Sequence, residues 1–436
     1  MPAILRENVD SFRGYMCLGG ILMIPTDASR LLRHPLVALV LSRGLGQAAV
    51  LISTFYLARL VTPDVYGELG LFTSFCALFS MASGARFEIR ALVCRTEGAR
   101  RKFIAMAYAI NVCLLTVALP MCVLAVCLQR APVWTELVPI GVLLSSLVNY
   151  VLPSQNSSKA QLSKLGTMNI IVSLSTATLQ IIGAKVAPVG ISLVAARLVA
   201  WLAGAFVMKA QIVDGWRSMT KLRTSDLRRM YRSSRQEIYY GTASALLGVL
   251  ELQCAVYVLS FFSQKHAIGM YWMGFNLLFV PFFVVSGSIR PLFLRHLASA
   301  RKESKIFRLM SKYVGMSFLA GIAFVVPIAL AAVVVTREFL GPEWQDVQYF
   351  AGLLAITLLV LVARLPISFA ASALGMQRLN LAFGLLQVLV RASSLGVPLY
   401  MGQPVISAMV WFAAASSGCY LLHIIVSLYG LKRLEE

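Results

Sequence analysis

Apolar stretches of about twenty residues, the length a helix needs to cross hydrocarbon, recur twelve times along the chain. They fall at 36–60, 65–85, 103–127, 137–154, 167–187, 189–209, 238–262, 267–289, 313–336, 348–373, 381–401 and 405–430. Short polar connections separate them, so the pattern predicts an all-α polytopic membrane protein with no room for a soluble catalytic domain. The basic stretch 209–236, which contains KLRTSDLRRMYRSSRQ, leaves six spans on either side. The expected organisation is therefore a basic N-terminal segment (1–35), an N-lobe (36–208), a basic linker (209–236), a C-lobe (237–430) and a short tail (431–436). Six spans per lobe make both lobes start on the same side, so a duplication would be a parallel one. A faint repeat agrees: LARLVTPDVYGELGLF (57–72) and LSFFSQKHAIGMYWMG (259–274) each close one span and open the next, with Gly67 and Gly269 at the same place. Ser83-Gly84 before Arg86 is likewise echoed by Ser286-Gly287 before Arg290.

Composition supports the membrane reading. Hydrophobic residues make up 59% of the 436 residues and charged ones only 13%, against about half and a quarter in soluble domains; the mean hydropathy is +0.78. The net charge of +21 comes from the loops. Of the 39 Lys and Arg, 30 lie in segments on the side of the N-terminus, 5 in the opposite loops and 4 within spans. By the positive-inside rule both termini are cytoplasmic, as in a bacterial inner-membrane protein, and the excess meets membrane lipid head groups; no nucleic acid is expected as a partner. The eight cysteines lie mostly inside spans without a C-x-x-C pair and read as small apolar residues. The four histidines are scattered, so no metal site is expected. The run 14–25 is too short to cross; it reads either as an interfacial segment or as sequence upstream of a start at Met23.

The charges inside spans carry the chemistry. Arg197 and Arg391 sit near the middle of theirs, and Arg364 about nine residues, or roughly 14 Å, from the cytoplasmic end. An arginine at the centre of a membrane helix costs about 2.5–3.5 kcal/mol even on the mildest scale, and snorkelling bridges only part of such a distance. Arg43 is shallower and lies in Arg43-Gly44-Leu45-Gly46-Gln47, whose glycines would soften the first span beside the charge. Lining of an internal cavity for a large anion is one reading of these arginines; internal pairing with Glu251 or helix carbonyls is the other. Glu251 is the one carboxylate deep in a span. Pairing with an arginine is its simpler role, and coupling to protons or sodium the alternative.

The run LARLVTPDVYGELGLFTSFCALFSMASGARFEIRAL (57–92) resembles the start of Wzx-type polysaccharide flippases, members of the multidrug/oligosaccharidyl-lipid/polysaccharide exporter superfamily. AIGMYWMGFNLLFVPFFVVSGSIRPLF (267–293) resembles the eighth span of that family, and FLGPEWQDVQYFAGLLAI (339–356) its Gly-x-x-Trp turn into the tenth. The resemblance covers nearly all of 36–430 in the right order. It implies two six-helix lobes around a basic, alternately opened cavity, and an undecaprenyl-diphosphate-linked oligosaccharide as substrate. A polysaccharide polymerase and export machinery would be its partners. Such proteins often carry an aspartate-arginine pair in span 7; here the residues are Glu251-Leu252-Gln253, so no role passes to that pair.

For a diphosphate, guanidinium groups are well suited, because their paired planar donors stay charged and act strongly beside a low-dielectric wall. Arg43, Arg197, Arg364 and Arg391 are the candidate substrate contacts, and Arg86 and Arg290, at equivalent mouths of the two lobes, the candidates for first capture. For either mouth residue a solvated topology charge is the plainer reading. No phosphate-binding loop of the G-x-x-x-x-G-K-[ST] kind occurs, and acidic residues and histidines are too sparse in the outer loops for acid–base work. An enzyme is not expected, nor a bound cofactor. The competing function is a cation-coupled multidrug exporter of the same superfamily, which should favour acidic residues where this chain carries four arginines and one glutamate.

Overall fold

The computed structural model describes residues 35–94, 96–128, 132–155, 159–302, 306–373 and 377–435. The run 14–25 and Met23 lie outside them. Regular structure among the described residues is helical throughout. The long helices are α1 (Pro35–Leu57), α2 (Pro63–Ser83), α3 (Glu97–Cys127), α4 (Val133–Gln155), α5 (Lys159–Val186), α6 (Gly190–Val207), α7 (Thr242–Phe261), α8 (Lys265–Lys302), α9 (Ile306–Glu338), α10 (Val347–Ala373), α11 (Gln377–Tyr400) and α12 (Val405–Glu435). Eleven, α2 to α12, hold a window long and apolar enough to cross a membrane. The 23 residues of α1 extend about 35 Å at 1.5 Å per residue.

The spans differ in how much protein surrounds them. The apolar windows of α8 and α10 are each 72% buried, whereas those of α3 and α9 are 6% and 17% buried. So α8 and α10 run through protein, while α3 and α9 display rows of large apolar side chains such as Val117, Met121 and Leu124, or Leu319, Val326 and Leu330. A water-facing helix would not tolerate such rows; a lipid-facing one requires them.

Small residues set the close helix contacts, as expected where hydrocarbon supplies no drive for helix association. A Cβ on Gly46 of α1 would lie 2.6 Å from Ser173 Oγ of α5, and one on Gly166 of α5 would lie 3.2 Å from Ser42 Oγ. Gly46 thus serves packing against α5. Ser83 of α2 donates to Ser146 Oγ of α4 at 2.7 Å. The fourth span begins earlier than its apolar pattern suggests, because Val133–Leu137 forms a 3-10 turn despite Thr135 and Glu136. A π-helical turn at Leu147–Val151 then interrupts it.

The linker is helical as well, in Lys209–Thr220 and Thr224–Gln236. The second of these is anchored by buried Met230 and by Lys102 Nζ, which donates to Asp226 Oδ1 at 2.7 Å. That hydrogen bond holds the Asp226 carboxyl below the usual carboxylate range.

Two compact units are present. One holds the described residues up to Leu57 together with Phe72–Val249; the other holds Ala58–Leu71 and the described residues from Leu250 onward. The division therefore falls inside α7, and the start of α2 counts with the second unit. In that unit the two glycines of the repeat pack on each other's segments. A Cβ on Gly67 would lie 2.7 Å from Lys265 O and 3.0 Å from Gly269 N, and one on Gly269 would collide with the Pro63 carbonyl. Around them Asn276 donates to Tyr66 OH at 3.0 Å. Trp344, at the end of the Gly-x-x-Trp turn, donates its indole N–H to Ala58 O at 2.8 Å. Gly269→Ala pushes a methyl into backbone that cannot give way, and overpacking of this kind costs about 1–3 kcal/mol. The expected result is a lowered thermal midpoint of the purified protein, with Gly248→Ala, where a Cβ meets nothing within 4 Å, as the unchanged control.

Candidate functional site

The second unit buries a cluster of charged and polar side chains among its spans. Glu251 is on α7, Arg364 on α10, Gln387 and Arg391 one turn apart on α11, and Tyr420 and His423 three residues apart on α12. Each is at least nine-tenths buried. The i, i+4 and i, i+3 spacings put each pair on one face of its helix, and α12 packs against both α10 and α11.

Arg364 is the hub. Its Nη1 donates to Glu251 Oε1 at 2.8 Å and to Gln387 Oε1 at 3.0 Å, and its guanidinium lies 4.9 Å from the centre of the Tyr420 ring. Arg391 donates from Nη1 to Tyr420 OH at 2.7 Å and lies 4.6 Å from the centre of the Phe412 ring. The Tyr420 hydroxyl in turn hydrogen-bonds with Glu251. A continuous polar chain thus runs from Arg391 through Tyr420 and Glu251 to Arg364 and Gln387. Glu251 is paired with Arg364. Tyr271 of α8 borders the cluster, its hydroxyl donating to Leu252 O at 3.3 Å, and His423 stacks on Phe383 with ring centres 4.4 Å apart.

Three of the other expected site residues, Arg43, Arg86 and Arg197, belong to the first unit. Arg197, half-buried on α6, reaches Thr176 Oγ1 of α5 at 3.5 Å and lies 5.2 Å from the centre of the Trp201 ring. Arg43 is exposed on α1. The four arginines therefore do not form one set of open guanidiniums: Arg364 and Arg391 are enclosed by protein partners, and Arg43 and Arg197 keep accessible surface. The side chain of Arg290, on α8, lies outside the described residues.

Arg86 sits on a sharp turn between α2 and the short helix Phe87–Val93. Ala85 and Arg86 are both left-handed, at φ 44° and 64°, a conformation that costs residues other than glycine about 1–3 kcal/mol each. Next to this turn Glu88 is 2% exposed, its Oε2 without a protein donor and folded onto Gly84, where a Cβ would collide with it. Burial pushes its carboxyl above the usual range, opposed by its own backbone N–H and by Arg86. A carboxyl raised by folding favours the fold while protonated and loses that contribution as pH climbs through its folded value. Glu88→Gln is therefore expected to melt higher than the parent near neutral pH and level with it near pH 4, as thermal scans across that range will show.

Sequence reasoning did not single out Gln387, Tyr420, Phe412, Thr176 or Trp201. For Gln387 the signal was available in its one-turn spacing from Arg391; for the others it lies in which helix faces which.

Comparison with known proteins bears on the family and the fold. A family model described as "polysaccharide biosynthesis protein" matches residues 56–349. Among solved structures, an inward-facing multidrug resistance transporter of the MATE family and MOP superfamily is 12% identical, covering 96% of this chain and 99% of its own, with a TM-score of 0.58. A Vibrio cholerae MATE transporter is 17% identical over 92% of this chain and 97% of its own, with a TM-score of 0.57. A MOP-superfamily transporter from Pyrococcus furiosus, described as having a binding pocket of reverse polarity that suggests a different function, is 14% identical over 92% and 96%, at a TM-score of 0.54. At such identities the likeness is one of fold. No curated protein sequence matches the chain.

Proposed function

The chain belongs to the polysaccharide biosynthesis protein family, matched over two thirds of its length, and from that premise we propose that it is a flippase for a lipid-linked oligosaccharide. It is a multi-pass membrane protein with a transporter fold. The substrate is an undecaprenyl-diphosphate-linked oligosaccharide, carried by alternating access from the cytoplasmic to the outer leaflet of the bacterial inner membrane. Both termini are cytoplasmic.

The observation that carries this reading is the sign of the charge within the spans. Within them stand Arg43, Arg197, Arg364 and Arg391 against Glu251, and Arg364 already neutralises Glu251. A carrier of cationic drugs is poorly served by such a surplus, whereas a diphosphate is drawn by it. Arg43 and Arg197, with accessible surface, touch the diphosphate directly. Arg364 and Arg391, engaged by Glu251, Gln387 and Tyr420, hold the C-lobe together and act on transport only through its stability. Arg86, on its left-handed turn, and Arg290 meet the head group first. With Glu251 held by Arg364, the C-lobe pair is a structural neutralisation and not the coupling site. On this reading the sugars cross unchanged and pass to a polymerase and export machinery.

Deletion in the native bacterium tests this reading. The mutant is expected to accumulate lipid-linked oligosaccharide that a glycosidase added to spheroplasts does not reach, with unchanged susceptibility to cationic drugs. Hypersensitivity to such drugs with normal surface polysaccharide would instead select the multidrug exporter.

A further inference from the structure

The charge balance of the C-lobe cluster does not close. Two guanidiniums, Arg364 and Arg391, face one carboxylate, Glu251. Among the described residues no carboxylate lies within ion-pair distance of Arg391; Tyr420, Phe412 and the stacked His423 add no negative charge. Both guanidiniums lie within 6 Å of the centre of the same Tyr420 ring, at 4.9 and 5.8 Å, so the like charges are close together. Burying an uncompensated ion is costly, and cation–π contact returns only part of that cost.

The donors do not close either. The Nε–H of Arg364, the Nε–H of Arg391 and the side-chain amide nitrogen of Gln387 are shielded from solvent without a protein acceptor. Gln387 is fully buried, Arg391 2% and Arg364 7% exposed. Gln387 Oε1 accepts from Arg364, which leaves its NH2 as the free end. The unmet groups are thus one positive charge and three donor nitrogens, two on Arg364 and Gln387, which touch directly, and one on Arg391, joined to Arg364 through Tyr420.

We propose that this cluster binds a small monovalent anion of the halide type, held by Arg364, Arg391 and Gln387 within the C-lobe. One negative charge brings the cluster to neutrality; a dianion would overshoot, and a metal cation would enter a site already positive. The bound anion is a structural ligand of the lobe, independent of what the protein transports.

Chloride itself is the probe. The purified full-length protein in detergent is melted in sodium chloride and in sodium gluconate at equal ionic strength. A ligand that binds only the folded state raises the midpoint with concentration, so the expected result is a midpoint several degrees higher in chloride, saturating with concentration, and likewise in bromide. Gln387→Leu removes a donor without adding charge and is expected to flatten most of that difference, and Arg391→Gln all of it; should Arg391→Gln fail to fold, Gln387→Leu decides. Equal midpoints in chloride and gluconate, or an undiminished chloride gain in Gln387→Leu, overturns the site. So does bromide whose anomalous signal lies anywhere but beside these three residues.

Discussion

Replacing Arg364 by methionine lowers stability by about 3–5 kcal/mol, the range for breaking one side of a buried ion pair. The loss comes chiefly from what remains: Glu251 stays 5% exposed with its carboxylate unpaired, and Gln387 Oε1 loses the N–H that it accepts at 3.0 Å. The hydroxyl of Tyr420 still hydrogen-bonds with Glu251, which favours the lower part of the range. Removing both charges behaves differently, since an apolar pair of similar volume often replaces a buried ion pair at little cost. The double variant Glu251→Leu, Arg364→Met is therefore expected to recover most of the single-variant loss. Thermal unfolding of the two single variants and the double variant completes a double-mutant cycle. Additive losses would show that the 2.8 Å contact does not couple the two residues.

The second large effect is on transport. Arg197→Ala is expected to cut glycan export about 10- to 100-fold, as losing one charge-assisted contact of about 1.5–3 kcal/mol would do, while the protein still reaches the membrane. Arg197 is only half-buried and donates to Thr176 at 3.5 Å, so its removal is expected to cost the fold less than the loss of fully buried Arg391. Arg197→Lys keeps the charge but loses the planar donors and the stacking on Trp201, and falls between parent and alanine. Arg391→Ala also stops export, but through a lobe weakened where Tyr420 loses the donor at 2.7 Å. Quantifying exported polysaccharide against membrane-inserted protein separates the two cases. Normal export in Arg197→Ala removes this residue from the substrate path.

Much of the fold was legible because hydrocarbon imposes a simple rule: each crossing needs a sustained apolar run. That rule places all twelve long helices, even the fourth, whose start hides behind Thr135 and Glu136 in a 3-10 turn. It fails where a helix outlasts its apolar part. The eighth helix continues to Lys302 through Arg290, Arg295 and Arg301, and the linker helix Thr224–Gln236 is too polar to register as a span. The repeat of Gly67 and Gly269 was visible as sequence; that the two glycines meet was not, since no pattern within one segment tells which segment it faces. The site divides in the same way. Depth along a span identified Arg197, Arg364, Arg391 and Glu251, because depth depends only on position. Which arginine Glu251 takes, and that Tyr420 stands between Arg391 and Glu251, depends on how four helices are rotated about their axes. Periodicity in spans apolar on nearly every face does not fix that rotation.

The central claim is translocation of a lipid-linked, diphosphate-bearing glycan, and reconstitution tests it most directly. The purified protein is placed in liposomes seeded with undecaprenyl-diphosphate-linked oligosaccharide on the inner leaflet only, and a membrane-impermeant glycosidase reports the fraction that reaches the outside. Exposure of the glycan at a rate proportional to protein, nearly abolished by Arg197→Ala, is the predicted result. Exposure no faster than in protein-free liposomes, with the protein folded and inserted, would contradict it.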